Sequence, residues 1–347
     1  MNTRVSRREF LTYSLATGAL IAAGDGIMNS VMAQSARGVT EVDKLTLWVL
    51  TDNYYDAIRA DGKNTKRYRV GPGKSIHAEH GISFYVETIV GGKTSACMFD
   101  YGLDPVGLMN NIALLGLDVG KANAFSLSHG HFDHYMSAVS ILKQHQSRIA
   151  PGTPFYVGEE AFSRRYWLRP GATESADLGQ LRKEDIEALG LKIVEARTPV
   201  EIVPGAYVTG NIERVTAYEK VPTTFQIKRG EKIEHDTFPG EQAIFFSVKG
   251  KGLVVLSGCA HAGIVNTVKQ AQKSAGTDKV HAVIGGFHLI NAKPEVIQST
   301  VADIKAMKPD TIVPAHCTGF EAIVAFSREM PNEFILNTAG TQYTFTA

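Results

Sequence analysis

The sequence is poor in three things. It has 3 cysteines among 347 residues, too few for a disulfide framework, and the odd number leaves at least one thiol unpaired. It has almost no net charge, with 36 Lys and Arg against 35 Asp and Glu. The first 33 residues carry three of the basic and two of the acidic groups, so the remainder balances at 33 each. That balance argues against broad nucleic-acid binding, which needs a basic excess to neutralise phosphates, and no nucleic-acid partner is expected. Outside the N-terminus no stretch reaches the ~18 unbroken apolar residues of a membrane span, which excludes a polytopic membrane protein. What is present, 44% hydrophobic and 20% charged residues, is too apolar and too evenly charged for a disordered chain. The length suits one large domain or two modest ones.

The N-terminus reads as an address. Ser6-Arg7-Arg8-Glu9-Phe10-Leu11 is a twin-arginine sequence, an apolar run follows from Tyr13 to Ala23, and Val31-Met32-Ala33 is a small-residue cleavage site before Gln34. Residues 1–33 are therefore expected to be a twin-arginine signal peptide, removed before fold reasoning begins. The route carries folded protein, so the expected partner is the twin-arginine export machinery. The expected compartment is the periplasm, with no stable membrane anchor after cleavage. In that oxidising setting an unpaired thiol needs burial or a role. Cys97, inside Ala96-Cys97-Met98-Phe99, reads as core, whereas Cys259 and Cys317 lie beside histidines.

Residues 34–347 are read as one domain. Strand-like runs cover Leu45 to Thr51, Ile82 to Val90 and Thr94 to Phe99, with Gly91-Gly92 as a hairpin turn between the last two. A helix from Pro105 to Leu115 precedes a strand from Ala124 to Ser128. From residue 253 strands and helices alternate, with strands at Leu253 to Ser257, Val280 to Ile284 and Thr311 to Val313. Helices are expected at Ile264 to Ser274, Pro294 to Met307 and Phe320 to Glu329, and strand-like segments at Phe334 to Asn337 and Gln342 to Phe345. This order predicts an α/β architecture of sheets covered by helices. The less regular stretch around 140–240 reads as an insertion that shapes a site.

The chemistry concentrates at His129-Gly130-His131-Phe132-Asp133-His134, directly after the strand from residue 124. His129 and His131, two apart on an extended turn, can hold one ion, and Asp133 and His134 can reach a second. Imidazole with carboxylate suits Zn²⁺, Fe or Mn²⁺. Further metal-capable residues follow other strand ends: Cys259 and His261 after 253–257, His288 after 280–284 and His316 after 311–313.

These residues make the chain resemble the metallo-β-lactamase-fold superfamily, in particular the branch named after a methanopterin-pathway dihydropteroate-synthase-like protein. Besides the histidine cluster, the resemblance rests on Asp52-Asn53-Tyr54, Ala78-Glu79-His80-Gly81-Ile82-Ser83 and Phe99-Asp100-Tyr101-Gly102. It also rests on Ser257-Gly258-Cys259-Ala260-His261-Ala262-Gly263, Gly285-Gly286-Phe287-His288-Leu289 and His316-Cys317-Thr318-Gly319. It implies an αββα sandwich of two mixed sheets flanked by helices, with two ions, zinc foremost, at one end. Two departures stand out. Cys259 occupies the place where many members have a metal-bridging Asp, either as a ligand or as a bystander to His261. The mid-chain stretch Val208-Thr209-Gly210-Asn211-Ile212 lacks the His that members often supply there, so His261 is expected to replace it.

The implied ligand set is His129, His131, Asp133, His134, Cys259, His261 and His288, with Asp133 also expected to orient the nucleophile or take its proton. Glu79, His80, Arg214 and His316 are candidates for binding substrate or for orienting ligands, Arg214 by holding an anionic group. A metal held by neutral imidazoles lowers the pKa of coordinated water and supplies hydroxide at neutral pH. The expected activity is therefore hydrolysis of a small ester, phosphodiester or related molecule. The alternatives are an iron-dependent oxidoreductase acting on oxygen or sulfur species and a non-catalytic metal-binding protein.

Overall fold

The computed structural model describes residues 38–347, so the signal-peptide reading of 1–33 lies outside the described residues. Nineteen strands build three sheets among the described residues. In chain order they are β1 (Glu41–Val42), β2 (Lys44–Thr51), β3 (Thr65–Arg67), β4 (Ser83–Val90), β5 (Lys93–Phe99), β6 (Ala124–Ser126) and β7 (Pro154–Val157). Then come β8 (Arg165–Trp167), β9 (Ala176–Gly179), β10 (Lys192–Glu195), β11 (Val200–Val203), β12 (Ala206–Val208), β13 (Phe225–Arg229) and β14 (Lys232–His235). The last five are β15 (Ile244–Val248), β16 (Gly252–Ser257), β17 (Val280–Gly286), β18 (Thr311–Ala315) and β19 (Thr341–Thr346).

An eight-stranded sheet runs β10-β7-β6-β5-β4-β2-β19-β3, and a seven-stranded sheet runs β11-β12-β15-β16-β17-β18 with β1 added beside β15. Strand alternation explains why these two sheets face each other. Leu45, Leu47 and Val49 of β2, Phe84 and Val86 of β4, Ile244, Phe246 and Val248 of β15, and Val254 and Leu256 of β16 share one buried cluster between them. Cys97 belongs to that cluster as the sequence suggested, and burial pushes its thiol pKa up to about 12. The opposite side chains of the eight-stranded sheet, among them Tyr85 and Met98, pack on Leu108, Ile112, Ile141 and Leu142 of helices Pro105–Leu114 and Ala138–His145. The first of these helices starts where proline is tolerated, with the Asp104 carboxylate accepting from Val106 N. On the other sheet β16, β17 and β18 are parallel, and helices Ile264–Ala275 and Pro294–Ala306 are the connections that parallel pairing requires. Two sheets with helices on their outer faces make an αββα sandwich.

Three sequence expectations change. The strand from residue 124 ends at Ser126, because the Ser128 amide turns away from the ladder to the Asp100 carboxylate. Residues 334–337 form no strand: Phe334 makes a single bridge to Ile312. The stretch 140–240 is not one insertion, since β7 and β10 belong to the eight-stranded sheet and β11 and β12 to the seven-stranded one. The added layer is a separate antiparallel sheet, β14-β13-β8-β9.

Candidate metal centre

The C-terminal ends of β2, β5, β6, β16, β17 and β18 deliver Asp52, Asp100, His129 to His134, Cys259 to His261, His288 and His316 to one edge of the sandwich. Close backbone approach makes the edge compact. A Cβ on Gly285, whose φ is +118°, would lie 2.0 Å from Ser257 O, and one on Gly258 would lie 2.3 Å from Ser128 Oγ. Only glycine lets β16 and β17 release their side chains so near one another.

Most of the predicted ligands converge. Imidazole centroids lie 4.7 Å apart for His129 and His131, 4.2 Å for His129 and His134, 4.8 Å for His129 and His261, and 4.0 Å for His261 and His288. His134 Nε2 is 3.1 Å from Cys259 Sγ. His316 Nε2 is 3.2 Å from Asp133 Oδ2, though not in hydrogen-bond geometry. Ligand atoms within 4.8 Å of one another form one group of Asp133, His134, Cys259 and His316, and another of His129, Cys259 and His261. Cys259 belongs to both, the place a bridging ligand occupies. His131 stands beside the second group through its contacts with His129 and His261. His316, read from sequence as an orienting or substrate-binding residue, sits in the ligand cluster itself.

The hydrogen bonds around the cluster aim its nitrogens inward. Asp100, fully buried, accepts from Ser128 N and Ser128 Oγ, both at 2.7 Å, and from His134 Nδ1 at 2.6 Å. Ser128 Oγ in turn lies 2.9 Å from His129 Nδ1. On the far side His316 Nδ1 faces Asn53 Oδ1 at 3.3 Å, while the Asp52 carboxylate accepts from His316 N at 2.9 Å. Three imidazoles thus engage Nδ1 and present Nε2 to the centre. Here the fit to a metal can be tested, because a buried polar atom without a partner needs an explanation. His129 Nε2, both ring nitrogens of His261, His288 Nδ1 and His316 Nε2 are all buried with no hydrogen-bond partner. Bound ions would supply partners for these rings, one nitrogen of each, and the donor set of imidazole, carboxylate and thiol suits zinc.

Ionisation follows from the same packing. Burial, and then the neighbouring imidazoles, hold His129 and His261 well below the ordinary histidine range, so their rings are neutral and able to bind a metal at pH 7. Burial also lowers His131 well below that range, partly opposed by Asp133. Burial would raise the Asp133 carboxyl, but His134 and His316 more than offset it and keep Asp133 anionic. His316 is pushed up to about 9, since Cys317 and Asp133 outweigh its burial. Burial would raise the Cys317 thiol, but Cys259 and the facing His316 and His288 lower it below the usual thiol range.

Two predicted residues are not part of the cluster. The Glu79 carboxylate accepts from Leu103 N and Asp104 N, which fixes a loop. Arg214 donates to the carbonyls of His261 and Thr237 and so braces the His261 turn from outside the ligand cluster. His80 does reach the site, with Nε2 3.6 Å from Asp133 Oδ2 and a side chain 56% exposed. Sequence reasoning missed Asp100 and Ser128, and also two glutamates. Buried Glu241 accepts from His261 N and Ala262 N, and Glu219 accepts from Val265 N and Asn266 N at the start of helix Ile264–Ala275. Gly263, which precedes that helix, has no side chain to cap it. Asp100 directly after a strand was a signal that could have been used, whereas nothing in the sequence ties Glu219 or Glu241 to a turn some 20 to 46 residues away.

A cavity of ≈ 670 Å³ opens onto the cluster. His131, Asp133, Cys259, His261, His288 and Cys317 line it, Trp167, Leu178 and Phe225 wall it from the four-stranded sheet and its approaches, and Leu289 to Val296 close the other side. Phe238 stacks on His261 at 4.0 Å, and Arg165 lies over Phe238 at 5.8 Å. The buried Arg165–Asp236 ion pair, 2.8 Å, therefore ties the added sheet to the histidines.

Paired sheets, outer helices and a ligand-rich sheet edge define the metallo-β-lactamase superfamily. In agreement, the chain aligns with the crystal structure of Tm1679, a metal-dependent hydrolase of the β-lactamase superfamily, with a TM-score of 0.67 and 24% identity over 87% of this chain and 100% of that one. No family model matches the chain. It is 31% identical over 300 residues to the 7,8-dihydropterin-6-methyl-4-(β-D-ribofuranosyl)-aminobenzene-5'-phosphate synthase of Methanocaldococcus jannaschii, covering 85% of this chain and 95% of the relative. The chain belongs to that family of metallo-β-lactamase-fold enzymes. An uncharacterised protein of the same organism is 27% identical over 270 residues, 77% of this chain and 94% of its own.

Proposed function

We propose that the protein is an exported metal-dependent hydrolase of a small ester, phosphodiester or related substrate, with zinc in the centre. The observation that carries the reading is the set of buried, partnerless imidazole nitrogens converging on a cavity large enough for a small molecule. His129, His131 and His261 would hold one ion and Asp133, His134 and His316 another, with Cys259 between them. Bound there, a divalent ion supplies Lewis acidity and eases deprotonation of water. The chain's own residues do the rest. Asp133, anionic and close to both His316 and His80, accepts a proton at Oδ2 and orients the attacking oxygen. Its partly desolvated position and the neighbouring His316 lower the His80 pKa, so it is neutral at pH 7, and its solvent-exposed side can pass that proton on. The apolar wall of Trp167 and Leu178 excludes water and seats the body of the substrate.

Elemental analysis of protein purified without chelators, then a screen of phosphodiester, lactone and thioester substrates, tests the reading. Turnover that is lost in His131→Ala supports it, and a metal-loaded protein that turns over none of them overturns it. The synthase relative motivates a second reading, formation of a pterin–aminobenzene product of the kind its name describes. Product formation in place of hydrolysis in the same screen selects that reading. Export rests on residues 1–33, and a mature N-terminus at Gln34 in a periplasmic fraction tests it.

A further inference from the structure

The two groups above leave a third unused. Cys259, His288 and Cys317 also place their ligand atoms within 4.8 Å of one another. In a tetrahedral zinc site with bonds of about 2.3 Å to sulfur and about 2.0 Å to nitrogen, donor atoms stand roughly 3.5–3.8 Å apart, so small side-chain shifts close the gap. Cys317 was not among the expected ligands. It arrives one residue after His316, in a short 3₁₀ turn that closes β18, and its Sγ lies 3.5 Å from Cys259 O. His288 leaves β17 through a left-handed backbone, φ +45°, and its buried Nδ1 has no partner. All three residues line the cavity, so an ion held by them would lie beside the space open to a small molecule.

We propose that Cys317 is a metal ligand, and that with Cys259 and His288 it forms a third, sulfur-rich position at the cavity floor for a thiophilic ion of the zinc type. The donor set separates this position from its neighbours. Around the shared Cys259 the neighbouring groups add a carboxylate and imidazoles, or imidazoles alone, whereas here a second sulfur and one imidazole join it with no carboxylate, a set that favours zinc over manganese or iron. The proposal rests on the reading of this edge as a metal centre, and its test separates the two.

Reduced wild-type protein, Cys317→Ser and His288→Ala are saturated with zinc, freed of unbound ion and analysed for metal per chain. The same three are loaded with cobalt for absorption spectra, and circular dichroism checks that each is folded. The expected result is that both variants hold one equivalent of zinc fewer than the wild type. The cobalt form of Cys317→Ser is also expected to lose part of the near-ultraviolet sulfur-to-cobalt band, with the ions on the imidazole side retained. Wild-type metal content in both variants, with an undiminished sulfur band, overturns the proposal and leaves the centre standing. A wild type that takes up no ion overturns the centre and this position together.

Discussion

Asp100→Asn is the substitution that most directly tests how the centre is aimed. It changes one atom in a fully buried side chain, so volume and packing stay nearly constant. In the wild type Oδ1 accepts from Ser128 N, and Oδ2 accepts from Ser128 Oγ and from His134 Nδ1. If asparagine keeps its oxygen on Ser128 N, its amide nitrogen faces His134 Nδ1 at the position where the carboxylate stood. Two N–H groups cannot share that contact, so His134 must carry its proton on Nε2 instead. Nε2 is the atom 3.1 Å from Cys259 Sγ, inside the ligand cluster, and a protonated Nε2 cannot bind a metal. Loss of one charge-assisted hydrogen bond costs about 1.5–3 kcal/mol, which at about 1.4 kcal/mol per decade is a 10- to 100-fold fall in affinity. That range agrees with the usual effect of removing a group that orients a metal-bound histidine. Chelator competition on wild type and variant measures the affinity, and urea unfolding of the metal-free forms measures the separate effect on the fold, expected at about 1–3 kcal/mol. A variant that binds zinc as tightly as the wild type would refute the tautomer argument.

Three further outcomes follow from the same structure. Arg165→Met strands the buried Asp236 carboxylate and is expected to lower unfolding stability by about 3–5 kcal/mol, with Asp236→Asn in the same chain restoring part of it; no loss in thermal or chemical unfolding would show the pair idle. Burial raises the Glu241 carboxyl to about 7 from an unfolded value of 4.5. A raised folded pKa means that its contribution is fully present below pH 4.5 and is lost as pH climbs to about 7, so metal-free Glu241→Gln should gain on the wild type by on the order of 3 kcal/mol across that window; a pH-independent difference in urea midpoints would contradict this. Trp167→Ala removes apolar cavity wall and is expected to raise KM severalfold with little change in kcat, so a kcat collapse at unchanged KM would place Trp167 in the chemistry.

Much of the architecture was visible as period and punctuation. The runs read as strands became β2, β4 and β5 of the inter-sheet core, and the helices expected from Pro105 and from Ile264 start at those residues. The histidine cluster was legible because an apolar strand ran straight into it. Three other features were not legible, each for a physical reason. The role of His316 depends on Asp52 and Asn53, over 260 residues away, which turn its ring inward. The bracing role of Arg214 was hidden because sequence does not show which carbonyls a turn leaves bare, and two such carbonyls accept from it. The stretch 140–240 looked like a single insertion because its strands are only three to five residues long. Strands that short carry too little alternation to assign to one sheet or another.

The backbone at the site helps explain why so many ligands arrive at one edge. Asp100, Ala260, His288 and His316 all have left-handed backbones, with φ of 58°, 56°, 45° and 49°. Each costs about 1–2 kcal/mol in a residue with a Cβ, and such residues persist only where surrounding contacts over-determine them. Those contacts are present. Ser83 Oγ donates to Asp100 O, Glu241 takes the two amides after Ala260, Thr318 Oγ1 accepts from Phe287 N ahead of His288, and Asp52 holds His316 N. A left-handed residue directly after a strand reverses the chain at once, so the side chain that would have continued along the sheet is thrown across its end. Asp100 and His316 turn in this way directly after β5 and β18, Ala260 and His288 turn within the loops that follow β16 and β17, and together they bring their side chains, or those next in line, to the same edge. The protein's own hydrogen bonds sustain this strain, so the binding energy of an ion need not be spent on ordering loops. The centre is therefore set by buried carboxylates behind it as much as by the imidazoles within it.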